Sequence, residues 1–183
     1  MSLWERLFGK HQRVAVSSTS GIKKDSTQLP PIEQKYLHRS FGKCERGPTP
    51  GPGGKLMDEA IPHWNENRYD KAFDLLTKSL SAGLGEPDAS YAHSWLGQIH
   101  VKRRELIPAV EEFLKCLELQ GRARDATWES AIRLSVIYKT AGKLDDARSL
   151  EGIAQTADVR GLSLAPAGIQ DLEKLTRQSL STR

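Results

Sequence analysis

The chain has 183 residues, 38% hydrophobic and 27% charged, which suits one domain of ordinary size carrying some disordered chain. No run approaches the ~20 apolar residues that a membrane-spanning helix needs, and the opening MSLWERLFGKHQR lacks the uninterrupted apolar stretch of a secretory leader, so the expected location is the cytoplasm. Cys44 and Cys116 stand far apart in no C-x-x-C pair, which argues against a disulfide framework and a zinc ribbon.

The net charge of +4 is unevenly spread, because Met1 to Lys55 holds ten Lys or Arg against four acids while the remainder is slightly acidic. Within residues 1–11, Leu3, Trp4, Leu7 and Phe8 form one apolar stripe beside Arg6 and Lys10, the pattern of a short amphipathic segment. A helix this short is marginal alone, so Trp4, Leu7 and Phe8 are candidate docking residues for a partner groove, the chain's own repeats or a membrane interface.

Residues 12–54 contain SSTSG, KKDST, LPPIEQ and GPTPGPGG, a composition that buries too little apolar surface to offset backbone ordering, and they are expected to form a disordered basic linker. Ile32, Tyr36, Leu37 and Phe41 are a partial exception, with spacing that suits a short helix or a docking segment as well as a plain linker.

Over residues 55–157 three segments resemble one another. The central one runs His93-x-x-Leu96-Gly97-x-x-His100, then Leu106-x-x-Ala109-x-x-x-Phe113-x-x-Cys116. The third runs Ala131-x-x-Leu134-Ser135-x-x-Tyr138, then Gly142-x-Leu144-x-x-Ala147, with Ala154 at the place of Cys116. In the first, the second half fits: Asn67-x-Tyr69-x-x-Ala72-x-x-x-Leu76-x-x-Ser79. Small residues such as Gly97 and Ala109 let two antiparallel helices approach, and Leu96, Phe113 and Tyr138 fill the space around the crossing. Gly83 and Gly85 read as a helix end, Pro87-Asp88 and Asp125 as helix starts, and Ala141-Gly142-Lys143 as a tight turn.

On these residues the chain resembles the tetratricopeptide repeat family over roughly residues 56 to 155. The resemblance implies an all-α, right-handed solenoid of about three helix-turn-helix repeats. The repeat spacing of 37 and 38 residues between Ala72, Ala109 and Ala147 exceeds the family's ~34, which predicts long loops between repeats. Pro62 should kink or shorten the first helix. Residues 158–183 read as a loop and then a C-terminal capping helix, with Ile169, Leu172 and Leu175 at helical spacing and Glu173, Lys174 and Arg177 on a polar outer face.

No catalytic motif appears: no G-x-S-x-G elbow, no H-E-x-x-H, no phosphate-binding loop and no dinucleotide fingerprint, so neither an enzyme nor a cofactor is expected. His93 and His100, seven residues apart, read as packed, hydrogen-bonded histidines in preference to metal ligands, and Cys116 as a small buried hydrophobe. The resemblance implies binding on a concave surface lined by the first helix of each hairpin. Candidate groove residues are Trp64, Tyr91, Trp95, Gln98, Lys102, Arg133, Val136 and Lys139, an apolar face with basic additions. The family's Asn and Lys-rich carboxylate clamp is not matched, since Tyr91, Ser94, Gln98, Ile132 and Val136 stand in those places. The expected function is a scaffold or adaptor for a protein or peptide partner with acidic residues. The alternative is anchoring of the basic tail to an anionic surface, a membrane in preference to nucleic acid, for which no stacking platform accompanies the charges.

Overall fold

The computed structural model describes residues 28–33, 36, 49–119, 123–157 and 163–181, which form seven helices and no strand. They are α1 (Pro52–Asn65), α2 (Tyr69–Ser81), α3 (Glu86–Lys102), α4 (Leu106–Glu118), α5 (Arg124–Thr140), α6 (Leu144–Thr156) and α7 (Pro166–Ser181). None is long and apolar enough to cross a membrane.

Helices α3 and α5, packed on more than one side, bury a broad arc that includes Asp88, Ala89 and Ser90 in α3 and Ser130, Ala131, Leu134 and Ser135 in α5, whereas each of the other four of the first six buries one stripe. In α2 it is Ala72, Leu75, Leu76 and Ser79, and in α4 it includes Leu106, Ala109, Val110, Phe113 and Leu117, the i, i+3, i+4, i+7 pattern that drives an amphipathic helix onto a neighbour. Consecutive helices pair as hairpins: α1 with α2, α3 with α4, and α5 with α6.

The three hairpins turn in the same way. Each uses three residues with the middle one in the left-handed region: Asn67 at φ 58°, Arg104 at φ 65° and Gly142 at φ 78°. The backbone bonds repeat in register. Arg68 N–H donates to the His63 carbonyl, Glu105 N–H to that of His100, and Lys143 N–H to that of Tyr138. The carbonyls of Arg68, Glu105 and Lys143 then accept from Ala72, Ala109 and Ala147, starting the second helix.

Between hairpins, α3 contacts both α1 and α5, so the first helices form one layer, while α2 packs on α3 and α4 on α5. The connections are short, residues 82–85 and 119–123. The long loops expected from the repeat spacing are therefore absent, and the extra length sits in α3 and α5, which have 17 residues each against 14 in α1. Pro62 lies inside α1, which ends three residues later at Asn65. The hydrogen bond that Pro62 cannot make is the one to the carbonyl of Asp58, an exposed residue where water can take its place.

The described part of the segment read as a linker packs on the helices. Leu29 and Tyr36 are buried in the same cluster as Phe113, Leu134, Tyr138 and Leu150, with Ile32 packed beside them. The Tyr138 hydroxyl donates to the Pro30 carbonyl, the Lys143 ammonium donates to the Leu29 carbonyl at 3.0 Å, and the Tyr36 hydroxyl donates to Glu118 at 3.3 Å. Leu29 thus sits at the turn before α6 and Tyr36 at the end of α4.

Further along, Thr49 gives its backbone N–H and its hydroxyl to the buried Asp88 carboxylate at the start of α3, and Gly85 N–H donates to the Thr49 hydroxyl oxygen. The helical part begins at Pro52, ahead of the boundary expected at residue 55, because Gly53 and Gly54 are buried against neighbouring backbone. A Cβ at Gly53 would fall 2.0 Å from the Gly83 carbonyl oxygen, and one at Gly54 1.8 Å from that of Thr49. Glycine in GPGG is therefore selected for close approach.

The C-terminal helix packs mainly along α5 and also touches α4, burying Leu172, Leu175 and Thr176. The candidate docking residues Trp4, Leu7 and Phe8, with Leu37, Phe41 and Cys44, lie outside the described residues.

Candidate functional site

The layer formed by α1, α3 and α5 carries a row of aromatic rings. Trp64 near the end of α1 stacks on Trp95 of α3, with centroids 5.5 Å apart and planes 9° from parallel. Tyr69 meets Trp64 edge-on at 5.6 Å, and Tyr91 meets Trp95 at 6.0 Å. The row continues to α5 through the Tyr91 hydroxyl, which donates to Asp125 at 2.5 Å. Trp64, Tyr69, Tyr91 and Trp95 are only partly buried, so their faces and edges remain partly open while their bodies pack on the core of the first two hairpins.

Beside this row a cleft of about 350 Å³ opens between the first hairpin and α7. Its first wall is Trp64 and Tyr69, its floor Gln98, Val101 and Lys102 of α3, and its far side Arg133 of α5 with Gly168, Asp171 and Leu175 of α7. Arg104, at the left-handed position of the second turn, closes one end and reaches Gln178 at 3.5 Å.

The cations in the cleft are held differently. Arg133 is largely buried, donates to Glu129 at 2.7 Å and Gln98 at 3.1 Å, and keeps a buried Nε without a partner among the described residues. Lys102 is exposed. Because the Arg133 guanidinium is already held by Glu129 and Gln98, the exposed Lys102 ammonium is the better placed of the two to receive a carboxylate.

Of the expected groove residues, Trp64, Gln98, Lys102 and Arg133 meet at the cleft, and Trp95 and Tyr91 extend its aromatic wall. Val136 packs against the cluster containing Leu172 and Leu175, and Lys139 is an exposed residue of α5 away from the cleft lining. Tyr69, Arg104, Gly168, Asp171 and Leu175 were not anticipated as site residues. The last three recur at i, i+3 and i+7, the spacing of one helix face, which is the signal that could have found them.

The two histidines have separate carboxylate partners. His93 Nδ1 lies 2.7 Å from Glu112 across the α3 and α4 hairpin, and His100 Nδ1 lies 2.6 Å from Glu105 in the turn. Burial pushes the Glu112 carboxyl up, but hydrogen bonds and charge from His93 and Lys115 outweigh it and hold it below its ordinary value. Burial pushes the Cys116 thiol up to about 12, and the nearby Glu129 and Asp125 carboxylates add to the rise. Among the described residues no three His, Cys, Asp or Glu side chains gather as a metal site. The chain matches no family model, no curated protein and no solved structure, so its functional reading rests on the geometry of this site.

Proposed function

We propose that the chain is a scaffold or adaptor that holds a peptide or helix of a protein partner on the concave face of tetratricopeptide-like repeats. The repeat reading is supported by the turn that recurs in register at Asn67, Arg104 and Gly142, and by the layering of α1, α3 and α5. The observation that carries the binding reading is the stack of Trp64 on Trp95, two large aromatic side chains kept partly open on the shared face of the first helices. Aromatic anchors ringed by cations are the composition of an interaction hot spot.

Full-length chain and its Trp64→Ala and Trp95→Ala variants test this by affinity capture from source-cell lysate at low and high salt. Truncation at residue 55 is unsuitable, since it removes Leu29 and Tyr36 from the core. A partner retained at high salt and lost with either substitution, at a stability cost below the ~3 to 5 kcal/mol of a core tryptophan, supports the groove. Capture that survives both substitutions and is abolished by salt assigns binding to the basic tail instead. A cost in the core range with no change in capture makes the tryptophans structural.

A further inference from the structure

We infer that the cleft between α7 and the first hairpin reads the partner's chain by accepting one acidic side chain together with an adjacent apolar one, with α7 as an indispensable wall. The inference rests on the concave-face reading above and assigns its chemistry.

The volume sets the scale. Pockets for drug-sized ligands run from ~300 to 1,000 Å³, so a cleft of about 350 Å³ admits one or two side chains and not a whole helix. The lining then decides which ones. Trp64 and Tyr69 on one side, with Val101 and Leu175 below and opposite, provide an apolar seat. Lys102, Arg104 and Arg133 face the same space, against the lining carboxylate Asp171 and the Glu129 carboxylate that already pairs with Arg133 at 2.7 Å. Lys102 has no ion-pair or hydrogen-bond partner among the described residues, and Arg104 has a 3.5 Å contact with the uncharged Gln178, so these two cations carry the unspent charge. The local charge is positive and partly unspent, which selects a carboxylate and disfavours an ammonium.

The C-terminal helix gives the site its far side. Gly168 lines the cleft, and a Cβ built there meets no atom within 4 Å, so the open space reaches the α7 backbone. A larger side chain at 168 would project into the cleft without disturbing the packed face at Leu172, Leu175 and Thr176. Asp171, one turn further on, repels a carboxylate that enters on its side and so steers it toward Lys102 and Arg104.

Twelve-residue peptides of Ala, Gly and Ser, carrying fluorescein on the N-terminal amine and amidated at the C-terminus, with a central Leu-Glu pair, test this against full-length chain by anisotropy at low and high salt. Controls carry Leu-Gln, Leu-Lys or Ser-Glu. The Leu-Glu peptide should bind tightest, and Gln in place of Glu, or Lys102→Ala or Arg104→Ala, should weaken it by about fivefold, the upper range of a partly exposed ion pair. Gly168→Leu should weaken it by at least about tenfold by filling the space, with the melting temperature unchanged or raised, since leucine favours the helix.

Equal or tighter binding of the Leu-Lys peptide overturns the charge assignment. Binding lost in Trp64→Ala and Trp95→Ala but untouched by Gly168→Leu overturns the cleft and leaves the concave face standing. Absence of Leu-Glu binding up to millimolar peptide overturns the inference, and lysate capture that stays sensitive to Trp95→Ala then shows that the broader reading survives it.

Discussion

Phe113 closes over Gly97 so tightly that a Cβ at residue 97 would lie 2.5 Å from the ring. Phe113 is fully buried, so the ring cannot move into solvent to make room. Alanine would gain roughly 1 kcal/mol of helix propensity but impose the ~1 to 3 kcal/mol of an overpacked core. Gly97→Ala is expected to destabilise the chain by up to about 2 kcal/mol, read as a lower urea midpoint with unchanged slope. A midpoint equal to or above that of the parent would mean the second hairpin is looser than this contact requires.

Glu112 joins His93 at 2.7 Å and Lys115 at 2.5 Å, tying α3 to α4. Its folded pKa lies below the ordinary 4.5, so the stability it contributes is present above that value and is lost as pH falls through the lower folded one. Chemical denaturation followed from pH 7 down to pH 3 should show this loss. Glu112→Gln should lower stability at pH 7 by ~1.5 to 3 kcal/mol, the range for a hydrogen bond to a charged group, and should flatten the acid limb. An acid limb identical in both proteins would assign the loss to other carboxylates.

The sequence carried the hairpins well because their packing is local. Leu96, Gly97, Ala109 and Phe113 lie within one helix-turn-helix, so their spacing is the geometry of their contact. The segment around Leu29 and Tyr36 was opaque for the opposite reason. Its anchors are remote, with Pro30 and Tyr138 separated by 108 positions, and its composition is that of a linker. Gly53 and Gly54 misled in the same sense, since glycine chosen for backbone approach looks like glycine chosen for freedom. At the site, the aromatic row could be read from the helix faces. The contribution of α7 was only half legible, because the one-face spacing of Gly168, Asp171 and Leu175 marks a helix face but fits equally an end cap and a helix laid along α5.

Cys116 is fully buried and its thiol is pushed up to about 12, so it holds almost no thiolate at neutral pH. In a Cys44→Ser background, Cys116 should resist a maleimide under native conditions and react fully in denaturant. Reaction at the rate of a free thiol in the native protein would show that the space shared by Cys116, Ala123 and Ala126 opens readily.

The contacts of Leu29, Pro30, Ile32 and Tyr36 with the last two hairpins make these residues part of the fold. Tyr138 is fully buried with its hydroxyl on the Pro30 carbonyl, and Leu29 is buried beside it with its own carbonyl held by Lys143. Leu29→Ala removes a buried side chain and should cost about 2 to 5 kcal/mol, whereas Tyr138→Phe keeps the ring, strips one donor from the Pro30 carbonyl and should cost roughly 0.5 to 1.5 kcal/mol. Because these substitutions strike one structural unit, the double variant should lose less than the sum of the two. Thermal melts with urea titrations give all three values. If neither substitution moved the midpoint, residues 28–36 would contribute nothing to stability and the domain would begin at the helices. A loss of the expected size means that any shorter chain intended for binding work must retain the residues from Gln28 onward.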